Sequence, residues 1–127
     1  MKIKRFEELE VWKRAIELAR NIYRLTGQGS LARDWGLAGQ MQRAAVSISA
    51  NIVEGFEKNN NNEFIRFLKI AKGSCGELRS HLYIAREIQY LSSKEFEPTH
   101  ELACRLGFRI GRFIQYLQSK RKEGEFK

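Results

Sequence analysis

Apolar residues recur along this chain at spacings of three and four, in four runs separated by short polar breaks. Phe6, Leu9, Trp12, Ile16, Ala19 and Tyr23 keep that rhythm first, as one face of an α-helix does, and predict a helix over 6–26. Gly27, Gln28, Gly29 and Ser30 break it. A second helix over 34–57 carries Leu37, Met41, Ala45, Ile48, Ile52 and Phe56. Asn59 to Asn62 then forms a polar loop, because Asn competes with helix by bonding nearby backbone. Asn62 is the expected N-cap of a third helix over 62–91, with Phe64, Phe67, Ala71, Cys75, Leu78, Leu82 and Ala85 on its stripe. Ser92-Ser93-Lys94-Glu95 has the spacing of a capping box and opens a fourth helix over 93–120, striped by Leu102, Leu106, Ile110, Phe113 and Leu117. Pro98 falls near its first turn, where it deletes at most an early hydrogen bond. No stretch alternates with period two, and no Asn-Gly or Asp-Gly hairpin occurs.

Runs of about 20 residues make rods of roughly 30 Å, and connections this short force neighbouring rods to run antiparallel. The expectation is all-α: an antiparallel up-down-up-down four-helix bundle over 1–127, with a basic tail at 120–127. A chain of 127 residues leaves room for little beyond one such domain.

Some apolar residues fall off these stripes. Val11, Leu18, Ile22 and Leu25 do so on the first helix, and Ile65, Leu68, Ile84 and Ile88 on the third. Phe108 faces away from Leu106 on the fourth. Large exposed apolar patches usually mark an interface, so Val11, Leu18, Ile22, Ile65, Ile84, Ile88 and Phe108 are the expected contacts between identical copies. The other reading is a broader internal core. Gly107 and Gly111 each cost about 1 kcal/mol against Ala inside a helix, a cost that close approach of another backbone offsets. Ser47, Asn51 and Glu54 form a polar row on the second helix, fit either to fix the register of two subunits or to cap a nearby loop.

Charge adds a partner class. Twenty-three Lys and Arg against fifteen Asp and Glu give a net charge of +8, which favours a polyanion, nucleic acid first. Arg105, Arg109, Arg112 and Tyr116 step by four, three and four along one face, followed by Lys120, Arg121 and Lys122. Guanidiniums beside a ring suit phosphate and base contacts. Arg66, Lys69 and Lys72 make a second set. A solvated face with a basic end is the plain alternative, and an interaction module with no nucleic-acid role is the rival function. No apolar run approaches the roughly 18 residues a membrane span needs, and the tail offers only Phe126 as an anchor, so no membrane partner is expected. The first residues carry no hydrophobic signal core, and Cys75 and Cys104 lack close-spaced partners. A cytoplasmic protein is expected.

Catalytic groupings are missing. A di-iron bundle needs two Glu-x-x-His pairs; Glu97-Pro98-Thr99-His100 is one, and His81 lacks a glutamate three residues before it. Gly73-Ser74-Cys75-Gly76 is not a nucleophile elbow, since no strand precedes it, and no phosphate loop of the Gly-x-x-x-x-Gly-Lys type exists. No enzyme activity, metal or cofactor is expected.

Phe6-Glu7-Glu8-Leu9-Glu10-Val11-Trp12-Lys13-Arg14-Ala15, Gln42-Arg43-Ala44-Ala45-Val46-Ser47-Ile48, Asn51-Ile52-Val53-Glu54-Gly55-Phe56, Glu63-Phe64-Ile65-Arg66-Phe67-Leu68 and Ile70-Ala71-Lys72-Gly73-Ser74 stand in order along most of the chain. In these segments it resembles the four-helix bundle proteins encoded in intervening sequences of 23S ribosomal RNA genes, a family that includes the accessory variability determinant of diversity-generating retroelements. The resemblance implies a bundle that assembles as a homopentamer with a basic central surface. For the retroelement branch it implies binding of RNA or DNA and partnership with a reverse transcriptase. Typical members carry Phe-Pro between the first two helices, where this chain has Gly29-Ser30-Leu31-Ala32-Arg33-Asp34-Trp35-Gly36-Leu37.

Overall fold

The computed structural model describes residues 3–122, the side chain of Lys122 excepted; most of the predicted basic tail, 123–127, lies outside the described residues. Every regular element among them is helical: a 3-10 turn at Phe6–Glu8, then α1 (Glu10–Thr26), α2 (Gly29–Arg33), α3 (Trp35–Glu57), α4 (Asn61–Glu87) and α5 (Ser93–Lys122).

Local chemistry sets the boundaries. The Asp34 carboxylate accepts from the Leu37 amide at 3.0 Å and starts α3, satisfying one of a helix's orphan donors. Its other oxygen accepts from the Tyr90 hydroxyl at 3.0 Å. The segment without Phe-Pro folds as the short α2, whose Leu31 is fully buried. Asn60, not Asn62, caps α4, accepting from the Glu63 amide at 3.0 Å. The chain turns earlier than the polar run suggests because Asn59 takes a left-handed φ of 53°, a region Asn tolerates. Helix α4 also ends at Glu87 rather than 91: Gln89 is left-handed (φ 66°), and the Tyr90 and Leu91 amides both reach back to the Ala85 carbonyl. The Ser92/Glu95 capping box closes reciprocally, at 3.1 and 2.9 Å.

One contiguous core joins α1, α3, α4 and α5. It corrects the first helix. Val11, Ala15, Leu18, Ile22 and Leu25 are buried, while Ile16 and Tyr23 of the predicted stripe are 40% and 50% exposed. Burial of a side chain the size of Leu18 contributes about 1.5–3 kcal/mol. Val11, Leu18, Ile22 and Ile65, expected to meet another copy, are therefore internal. Ile84, Ile88 and Phe108 of that set do reach solvent. On α5, Ala103 and Ile114 are buried, whereas Leu102 and Phe113 are only partly so.

Helix contacts within the chain explain two further features. Ser47 and Ser74 hydroxyls lie 2.9 Å apart, and the Asn51 amide donates to the Ser47 carbonyl at 2.8 Å. The polar row thus ties α3 to α4, with Glu54 left exposed. Gly55, inside α3, lets α4 approach, since a methyl there would stand 2.7 Å from the Phe67 Cβ. Gly107 and Gly111 likewise face α4 of the same chain. Their added methyls would meet the Cys75 Cβ at 3.6 Å and the Lys72 Cε at 3.1 Å.

Candidate nucleic-acid interface

Helix α5 buries Leu106, Ile110 and Leu117, which turns the intervening positions outward. Arg105, Arg109, Arg112 and Tyr116 accordingly line one groove, of about 910 Å³, closed on its far side by Leu9, Glu10 and Val11. A smaller groove of about 390 Å³ runs along the other side of α5, where Lys72 and Arg79 of α4 meet Arg112 and Gln115 above Gly76, Gly107 and Gly111. Phe108, Arg112 and Cys104 line both grooves, so Phe108 and Arg112 form the ridge between them. Phe108 is 64% exposed.

The cations are not equally available. Arg105 donates to Glu101 at 2.8 Å, and Glu10 adds a carboxylate to the larger groove. Among the described residues no carboxylate lies within 4.0 Å of Arg109, Arg112, Lys72 or Arg79. The Arg112 guanidinium stands 5.8 Å from the Phe108 ring centroid and the Lys120 ammonium 5.6 Å from that of Tyr116, both within cation–π range. Arg121 donates to the Asn62 side chain at 2.8 Å. Lys122 is helical, with its side chain outside the described residues.

The second predicted set divides. Lys72 joins the α4–α5 groove. Lys69 is exposed outside both grooves. Arg66 is held by Glu63 at 3.0 and 3.2 Å and lies over the Phe67 ring at 4.4 Å. That hydrogen-bonded pair lowers the Glu63 carboxyl's pKa and raises the guanidinium's, and an ion pair this exposed contributes little to stability. Sequence reasoning missed Arg79, although it follows Lys72 by seven residues, two helical turns on the same face. Phe108, expected at a contact between copies, is exposed and stands among the arginines.

Two other groups lie nearby. Burial pushes the Cys75 thiol up to about 12, leaving it protonated and inert. His100 and Cys104, weighed separately in the sequence, stand one turn apart, with Nδ1 and Sγ at 3.6 Å. Among the described residues no three His, Cys, Asp or Glu side chains converge as a metal site. No helix among them is long and apolar enough to cross a membrane.

Fold and groove together define a small, basic, all-helical protein that gathers its cations beside exposed rings on one helix. The model of the 23S rRNA-intervening sequence protein family matches residues 7–112, and the chain belongs to that family. A crystal structure of a protein of unknown function from the S23 ribosomal protein family of Bacteroides thetaiotaomicron has the same fold, with a TM-score of 0.75. The two are 21% identical over 82% of this chain and 97% of that one. No curated protein matches the chain.

Proposed function

We propose that the protein is a non-enzymatic, homo-oligomeric scaffold of the cytoplasm that binds RNA or DNA through the outer face of α5. One observation carries this reading: Arg109, Arg112, Lys72 and Arg79 converge from two helices on neighbouring grooves, with no carboxylate of the described residues within ion-pair distance. The α3–α4 and α4–α5 contacts pair rising with falling residue numbers, Ser47 with Ser74 and Gly55 with Phe67, then Lys72 with Gly111 and Asn62 with Arg121. That order supports an up-down-up-down bundle. Large apolar side chains remain exposed away from the grooves, among them Ile16 and Tyr23 on α1, Val46 on α3, Ile70 and Ile84 on α4 and Ile88 at its C-cap. Unlike surfaces joined head to tail form a ring where the rotation between copies closes, and the family resemblance makes that ring a pentamer. It also supports a role as accessory subunit of a reverse transcriptase in a diversity-generating retroelement, which co-purification with a reverse transcriptase encoded beside it would test.

Phosphate neutralisation makes the binding salt-dependent. With six to ten phosphates engaged across the copies, affinity for a structured RNA falls on the order of 10³-fold or more between 50 and 200 mM salt. The double variant Arg109→Ala/Arg112→Ala flattens that slope and weakens all sequences alike, with helicity unchanged by circular dichroism. Salt-insensitive binding, or a variant that binds as the parent does, refutes the assignment and leaves the interaction module without a nucleic-acid role.

A further inference from the structure

Phe108, Arg112, Tyr116 and Lys120 follow one another at intervals of four on α5, so ring and cation alternate along one row at about 6 Å per step. Both rings face water, Phe108 at 64% and Tyr116 at 44% exposure, and each has the next cation of the row 5.6–5.8 Å from its centroid. Arg105 and Arg109 flank the row in the same groove. A surface that only gathers phosphates has no use for exposed rings, which a solvated cationic face would replace with polar side chains.

From this alternation we propose that the α5 face is a single-strand platform: it takes unpaired RNA or DNA, stacking bases on Phe108 and Tyr116 while Arg109 and Arg112 hold the intervening phosphates. The inference deepens the nucleic-acid reading above and rests on it. Duplex is the poorer ligand for a geometric reason. Its bases are stacked about 3.4 Å apart along each strand and present only their edges, whereas the two rings are about 12 Å apart along the helix axis. An unpaired strand can turn base faces onto rings at that spacing, and stacking of this kind tolerates any sequence.

The test uses the full chain at 50 mM salt with three fluorescent probes of equal length: a single-stranded oligothymidine, an abasic strand with the same phosphates, and a duplex. The single strand is expected to bind best, by at least the roughly 5- to 100-fold over the abasic strand that stacking of one base supplies. The variant Phe108→Ala/Tyr116→Ala should bind the single strand no better than it binds the abasic strand, and Phe108→Trp/Tyr116→Trp should keep the margin. Both positions are exposed, and circular dichroism checks that each variant folds. Equal binding of all three probes, or an alanine variant that keeps the margin, overturns the platform while leaving phosphate binding standing. Failure to bind any probe overturns both readings.

Discussion

Among the described glycines, Gly55 is the most tightly enclosed. Its missing side chain is where α3 meets the Phe64 and Phe67 rings; an added methyl would lie 2.7 Å from one Cβ and 3.1 Å from the Phe64 ring. Both neighbours are buried, so neither can swing aside as a flexible surface side chain would. Gly55→Ala is expected to cost about 2–3 kcal/mol by over-packing, despite alanine's better helix propensity. Gly73 is its control: nothing lies within 4 Å of the added carbon, and Gly73→Ala should stabilise by about 1 kcal/mol. Urea unfolding of the two variants checks both signs, and a neutral Gly55→Ala would mean that the α3–α4 seam relaxes freely.

At the scale of elements, the α4–α5 junction carries a titration. His100 of α5 stacks on Phe96 and meets Tyr83 of α4 edge-on, each at 4.7 Å. Burial, followed by the Arg79 charge, holds its pKa below the ordinary 6.5; Arg86 acts the same way, and Glu97 and Glu101 oppose them. The unfolded chain therefore takes the proton more readily. The stabilisation is complete above about pH 6.5 and is lost as pH falls from there through the folded value, with a slope of at most about 1.4 kcal/mol per pH unit. Unfolding free energies measured from pH 7.5 to 5 should decline in the parent and decline less in His100→Gln. Parallel curves for the two would remove His100 from the account.

The four long helices were legible in the sequence because the 3.6-residue period and the caps act locally, while the 3-10 turn at Phe6–Glu8 and the short α2 were not. The face of α1 was not read correctly, because two apolar rows on that helix obey the same spacing. The buried row lies opposite Lys13, Arg20 and Arg24, all exposed, and that charged side was the available signal. The N-cap at Asn60 and the stop at Gln89 depended on left-handed backbone at single residues, which no periodicity reports. The arginine row of the candidate site was legible as one helical face. Lys72 was legible only as part of a separate set and Arg79 not at all, since their proximity to that row depends on how α4 packs against α5.

For the whole molecule, the apolar groups that stay wet matter most. Ile84 and Ile88 are 45% and 48% exposed, and exposed positions of this kind tolerate polar substitution with changes of about 0.5 kcal/mol or less in a folded monomer. If α4 seats a second copy, Ile84→Glu/Ile88→Glu should reduce the particle from a multiple of 14.8 kDa to a single chain while preserving helicity. Sedimentation at micromolar concentration reads this directly. A parent that already sediments as one chain would refute assembly, and a variant that stays assembled would move the contact to Ile16, Tyr23 and Val46.

Gly111 leaves bare the part of α5 that the Lys72 stem crosses. One extra carbon there would stand 3.1 Å from the Lys72 Cε, displacing the stem and with it the ammonium. A residue with neither charge nor side chain thus steers a positive charge borne by a different rod, and changing it would redistribute the local field while the net charge stays the same.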